Sequence, residues 1–330
     1  METKKFRTIV LLAAIGTVLG AAQVQTAGKV LYRLKLTKGA KYFFKTVTEQ
    51  QITQTMTGQE QNMEQTIGMG MDFDVNDVND RGDVWVRYTY RWMKFRQKSP
   101  MGEIVYDSSQ KDVNVPPQVQ GFAALLNEGF AVKLTPQGKA VQVKGLDKMR
   151  NNISQKLPTG PMREYMLKGM EQFLSEEAMK EFTENSFMAY PDKEVGVGDS
   201  WTQTVSMTRG LPMTIVNKCM LKDRKAGVAI LDVSSEIKTS PNAKPTEMGP
   251  TKMTYELTGK QQGQVRIDET TGLMLTSKVE QQISGQIKMA MSAPPQAQKA
   301  DQNQPQAPPE MIIPMKVKST ISMEMTKRKG

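Results

Sequence analysis

The chain has 330 residues, 38% of them hydrophobic, a mean hydropathy of −0.48 and a formal charge of +10, which is length enough for one large domain or two. It contains no histidine and a single cysteine, Cys219, so it lacks the commonest general base and metal ligand and cannot form an intrachain disulfide. Its basic residues alternate with Thr and Gln instead of clustering with aromatics, and a nucleic-acid partner is not indicated.

Residues 1–22 read as a secretory signal. Lys4, Lys5 and Arg7 form a charged start, 9–19 is an apolar run too short for a comfortable membrane span, and Gly20, Ala21 and Ala22 are small enough for cleavage. No later stretch is apolar and long enough to cross as a helix, so the expectation is no transmembrane helix after signal cleavage.

From residue 30 the pattern changes to a period of two. Residues 30–36 read as a first mature strand. Residues 41–56, 63–75 and 84–92 then form a meander of long amphipathic strands. In its middle run Met63, Gln65, Ile67, Met69, Met71, Phe73 and Val75 share one face, and Glu64, Thr66, Gly68, Gly70, Asp72 and Asp74 the other. Gly68 and Gly70 on the polar face mark a bend or a close backbone approach. The string from Asp74 to Asp83 is rich in carboxylates, yet the calcium-loop spacing fails, and Asn, Asp and Gly in such density are turn residues. After a break at Pro116 and Pro117, a short helical stretch ends at Gly129. A hairpin follows around the sequence Thr135-Pro136-Gln137-Gly138.

Residues 146–190 carry the helical period. Met162, Tyr165, Met166, Met170 and Phe173 form an apolar stripe. A Met-rich stripe at this spacing suits a core; it also suits the wall of an apolar-ligand site, because Met adapts to irregular partners. Alternation resumes at Trp201, with strands expected at 201–208, 213–222, 228–238, 251–257, 265–268 and 273–286. Residues 241–250 read as a polar loop. Cys219 alternates with apolar neighbours and reads as a buried, inert thiol. Residues 293–309 are Pro-, Gln- and Ala-rich and read as a disordered excursion, before a last strand at 315–325.

The expected organisation is a signal peptide at 1–22, a first β section at 23–145, a helical segment at 146–190, and a second β section at 191–330 that repeats the first in degenerate form. The fold class is α+β, mainly antiparallel β: a curved, partly closed sheet built from two meander sections with the short helical segment between them.

The leader, the runs Lys38-Gly39-Ala40-Lys41-Tyr42 and Ile67-Gly68-Met69-Gly70, the run from Gly121 to Leu126, and the run from Lys133 to Lys139 resemble those of an uncharacterised family of exported bacterial β-rich proteins, a domain of unknown function. The resemblance implies export and β-rich architecture, and no functional residues.

No phosphate loop, nucleophile elbow or metal-ligand cluster is present, so no catalytic, metal or cofactor residue is assigned and no cofactor is expected. Three functional readings stand open. The first is an exported cell-envelope protein, periplasmic or extracellular, acting as a non-enzymatic binding or structural module. The second is a periplasmic carrier of an apolar ligand or lipid. The third is a carboxylate-based hydrolase. Protein recovered from the envelope is expected to begin near Gln23 on N-terminal sequencing; intact Met1 in soluble cytoplasm would contradict export.

Overall fold

In the computed structural model the alternating runs become strands of one antiparallel sheet. It describes residues 28–112, 114–160, 163–164, 166–167, 170, 173–187, 190–207, 211–241, 243–248, 251–291 and 310–329. The leader and the excursion at 293–309 lie outside the described residues, as do Met162 and Tyr165.

The first section supplies β1 (Lys41–Met56), β2 (Gln59–Val78), β3 (Val84–Ser99), β4 (Gly102–Asp107), β5 (Gly129–Leu134) and β6 (Ala140–Lys144). The helices are α1 (Gln120–Ala123), α2 (Leu146–Lys156) and α3 (Glu176–Ser186). The second section supplies β7 (Ser200–Met207), β8 (Met213–Lys225), β9 (Val228–Thr239), β10 (Thr246–Met248), β11 (Thr251–Asp268), β12 (Met274–Met291) and β13 (Met311–Lys327). The order across the sheet is β6-β5-β3-β2-β1-β13-β12-β11-β9-β8-β7, with β4 beside β3 and β10 beside β11. The sheet is curved and does not close. Strands of both sections are joined through β13, which lies between β1 and β12.

Local chemistry explains the reversals. Thr57 and Gly58 have φ of 49° and 78°, and Ala226 and Gly227 have 52° and 75°. Two left-handed residues in succession make the hairpin turn whose twist suits the strands it connects. Between β2 and β3, the Asn79 Oδ1 accepts the amides of Arg81 and Asp83 at 3.0 and 2.8 Å. The nearby carboxylates are engaged by lysines: Asp77 by Lys38 and Asp83 by Lys133. Hydrogen bonds from these lysines hold both carboxyls below the usual range. The acidic string is therefore a strand end and turn in which Asp77 and Asp83 are paired with lysines.

On the polar face of β2, a Cβ at Gly68 would overlap the Trp92 ring, and one at Gly70 would lie 2.5 Å from the Phe43 ring. The two glycines thus let aromatic rings lie on the backbone. The same face is not wet throughout. Asp72 is buried, because Arg91 meets it at 2.7 Å and Arg328, just beyond β13, at 2.9 Å. These charge-assisted bonds anchor the last strand to the founding meander.

Three sequence expectations are corrected. Residues 30–36 form no ladder; only Val30 bridges Val195. Their alternation is real, since Tyr32, Leu34 and Leu36 are buried, but they face the core without a neighbouring strand along their length. Instead of separate strands at 251–257 and 265–268, β11 is continuous for 18 residues. The expected loop at 241–250 contains β10, which pairs with β11.

The main core lies at one end of the sheet, where the register shifts also fall: Gly70/Met71 and Val75/Asp77 in β2, Leu221/Asp223 in β8 and Arg266/Ile267 in β11. Bulges bend strands and increase twist, so curvature and core coincide. There α2 packs on β5, and α3 on β6 and β7. The Ser175 hydroxyl caps α3 by accepting the Ala178 amide at 3.1 Å. Phe73, fully buried, meets Tyr42, Tyr88 and Phe187 edge-on, with centroids 5.8, 5.3 and 5.8 Å away.

Phe73→Ala is expected to cost roughly 3–5 kcal/mol, whereas Glu64→Ala on the exposed face should stay within about 0.5 kcal/mol of wild type. Chemical-denaturation midpoints measure both. Equal effects would mean the faces are assigned the wrong way round.

Candidate functional site

The site follows from the register. Gln97 of β3 pairs with Gln65 of β2, which pairs with Gln50 of β1, which pairs with Ser319 of β13. The row continues through Gln281, Gln261, Ser235 and Asn217 to Gln203 of β7. Directly opposed residues of antiparallel strands share a face. Nine strands therefore place one neutral amide or hydroxyl side chain each in a single row.

The row is hydrogen-bonded laterally. The Gln50 amide donates to Gln65 at 2.7 Å, and the Gln65 amide to Gln97 at 3.0 Å. The Gln281 amide donates to Gln261 at 3.3 Å, the Gln261 amide to Ser235 at 3.0 Å, and the Ser235 hydroxyl to Asn217 at 2.6 Å. The Ser319 hydroxyl reaches Gln50 at 3.4 Å. Gln and Asn carry both donors and acceptors, so a ladder of them keeps capacity for a ligand. No member carries charge.

Two positions to either side, the same face is mostly apolar, with Thr48 of β1 and Ser99 of β3 as polar members. Towards the core lie Phe95, Ile67, Ile321, Val279, Val233 and Cys219; Phe95, Val233 and Cys219 belong to the main core, and Ile67, Ile321 and Val279 are half-buried. Burial pushes the Cys219 thiol up to about 12, so it stays protonated and unreactive. Away from the core lie Met63, Ile52, Val317, Ile283, Ile237 and Ile215, in register with one another through Gly259. Farther out come Met315 and Leu257, then Ile313, Ile287 and Tyr255, then Met311, Met289 and Met253. Met213, Ile237 and Leu257 are buried there as a small separate cluster with Leu211 and Tyr255 against them. Ile52, Met63, Val317 and Ile287 are half-buried, and Met311 is exposed. Among the described residues no charged side chain falls on this half-face, whose polar members Gln54, Gln61 and Thr239 are neutral, while the opposite face of the same strands carries Glu60, Lys316, Lys288, Glu256 and Lys238.

A groove of about 1100 Å3 crosses the sheet at the level of the row. Its lining consists of row residues and their immediate neighbours along each strand, including Glu49, Glu64, Lys218, Lys260 and Lys318. Those neighbours point to the opposite face, so this groove opens on the charged side, with the strand backbones as its floor. Val216 is the one apolar residue of its lining.

Of the helical stripe read from the sequence, Met166, Met170 and Phe173 are among the described residues. Met166 and Met170 are half-buried against the main core and pack over Gly121, and Phe173 is 55% exposed. The buried carboxylates have structural partners. Asp72 is held by Arg91 and Arg328, and Glu128 by Lys156 at 2.6 Å and Asn152 at 2.8 Å. Among the described residues no group of three or more acidic or Cys side chains could hold a metal ion, and no helix is long and apolar enough to cross a membrane. The distal Met and Ile positions were visible in the sequence as alternation. Their alignment into a field was not, because it depends on pairings such as Gln50 with Ser319, 269 positions apart.

A model for a family of unknown function (DUF6263) matches residues 81–274, the span from the β2–β3 turn to the start of β12. No curated protein matches significantly in sequence. Among solved structures, the chain is similar to a lipovitellin in a structure on lipid–protein interactions, at 6% identity and a TM-score of 0.45, over 89% of this chain and 26% of that one. It thus spans about a quarter of the length of that protein. It is also similar to OccK7 (OpdD) of Pseudomonas aeruginosa, at 6% identity and a TM-score of 0.23, over 89% and 100% of the two chains. A DUF1329 family protein of Desulfovibrio piger matches at 8% identity and a TM-score of 0.10, over 87% and 84%.

Proposed function

We propose a function for this chain, which belongs to the DUF6263 family of unknown function, from the division of one sheet face: it is an exported, non-enzymatic binding module of the cell envelope whose ligand is a lipid-like amphiphile. The observation that carries the reading is the distal half-face, where a charge-free field of Met, Ile and Val begins at a row of neutral hydrogen-bonding side chains. A polar group of the ligand would lie on the row, and its apolar chain on the field. From Gln261 to Met253 the strand runs about 27 Å, longer than the roughly 15 Å that one lipid chain spans in half a bilayer. Methionine supports the reading further, since its flexible thioether adapts to ligands of irregular shape.

The chemistry of the row suits recognition. Its amides offer donors and acceptors to an ester, amide or hydroxyl, and none can act as nucleophile or general base at neutral pH. The charged leader and short apolar run support export, and with it a site in the periplasm or outside the cell.

The test is binding of a fluorescent fatty acid to delipidated protein. Wild type should saturate. Ile283→Glu, which puts a charge into the field without opening the main core, should lower the melting temperature, keep the circular dichroism spectrum of a folded sheet, and weaken the probe at least tenfold. Met166→Ala should lower the melting temperature and leave binding unchanged. Binding that responds to Met166→Ala and ignores Ile283→Glu would move the site to the helices, and no saturable binding by wild type would remove the amphiphile reading.

A further inference from the structure

The row of neutral side chains ends at Gln203 on β7, the last strand of the sheet on that side. The other edges are protected. At β6 the Glu184 carboxylate of α3 accepts the Ala140 amide at 2.9 Å, and Glu176 accepts the amide of Val143. β4 is six residues long and carries Glu103 and Asp107, and β10 is three residues long. Short edges, edge charges and covering groups are the usual defences against strand addition. β7, which α3 also meets, has eight residues, Ser-Trp-Thr-Gln-Thr-Val-Ser-Met, without a charge or a proline.

Among the described residues no strand pairs with the far side of β7, and the hydrogen bonds show which backbone groups face it. The Leu221 amide donates to the Asp199 carbonyl at 3.0 Å. By the alternation of an antiparallel ladder, the odd positions of β7 turn their backbone groups to β8, and Ser200, Thr202, Thr204 and Ser206 turn theirs outward. All four are exposed.

The sequence of β7 is also palindromic in character about Gln203. Position for position, Thr202 matches Thr204, Trp201 matches Val205, and Ser200 matches Ser206. An antiparallel strand pair related by a two-fold axis opposes such positions.

We infer that two copies of this chain pair through β7, antiparallel, with the two-fold axis at Gln203. Thr202 of one copy then exchanges both backbone hydrogen bonds with Thr204 of the other, and Ser200 with Ser206. Gln203 faces its own counterpart in a non-hydrogen-bonded pair, and Trp201 meets Val205 on the apolar face. The row of neutral side chains runs on without interruption from one sheet into the next, so each copy completes the site of the other. A second copy is the occupant the edge favours, because it alone supplies the same palindrome and the same row.

The experiment combines native mass with site-directed cross-linking. Wild type should have the mass of a dimer. Thr204→Pro removes an outward amide, is tolerated on an edge strand, and should be monomeric with an unchanged circular dichroism spectrum. Gln203→Cys should form a disulfide-linked dimer under mild oxidation, because the facing Cα atoms of a non-hydrogen-bonded pair lie about 4.5 Å apart, within disulfide range. Val205→Cys should not, since each copy opposes it with Trp201. The buried Cys219 does not interfere. A monomeric wild type overturns the inference, whatever else binds the edge, and so does cross-linking at Val205→Cys equal to that at Gln203→Cys. Binding of an apolar chain by the distal field of a single sheet is read separately with the fluorescent probe, so the two readings fail independently.

Discussion

The inner face of this protein depends on the register in which β13 lies between β1 and β12. Thirteen residues of β1 and fourteen of β12 are paired with it. Side chains alternate with period two, so a slip by one position would carry every residue of a strand to the wrong face. In β13 it would exchange Ser319 for Lys318 or Thr320 and bring Lys316 into the apolar field. The penalty for burying such charges makes the observed register the stable one. Arg328 reinforces it from the strand's end, through its bonds to Asp72 and Asp74.

From that register follow two halves with different fates. Towards the bulged end, curvature brings α2, α3 and the extended segment from Val30 onto the sheet, and the aromatic cluster around Phe73 closes the core. Tyr32 of that segment hydrogen-bonds Glu269 at 3.1 Å, and Glu269 is in turn paired with Arg224 at 2.5 Å, which fixes the segment to the turn between β11 and β12. Towards the other end the strands continue past the neutral row. The chemistry of their inner face stays apolar although the main core does not reach it.

Much of this was legible in the sequence. Period-two alternation located the long strands, Thr57-Gly58 and the Asn79 turn located the reversals, and Gly68 with Gly70 announced the close approach that Trp92 and Phe43 make. The errors have physical causes. The segment at 30–36 alternates because one side of it is buried, which does not require a strand partner. Gly259 and Gly263 lie between the two strands expected at 251–257 and 265–268, and a Cβ at either would collide with a carbonyl of β12, at Gln282 or Lys278. Those glycines permit the pairing. The helical stripe is conspicuous in the sequence because its spacing is local, while the alignment of Met63, Ile52, Val317 and Ile283 exists only once four strands are in register.

The central claim is that the distal half of the row-bearing face is where an apolar chain lies. A photoactivatable fatty acid, cross-linked to the intact protein and mapped by peptide mass spectrometry, tests it most directly. The adducts should fall on the inward positions of the distal strands, among them Met253, Tyr255, Ile283, Ile287, Met315 and Val317. Adducts concentrated on the helices at 146–187 would contradict it.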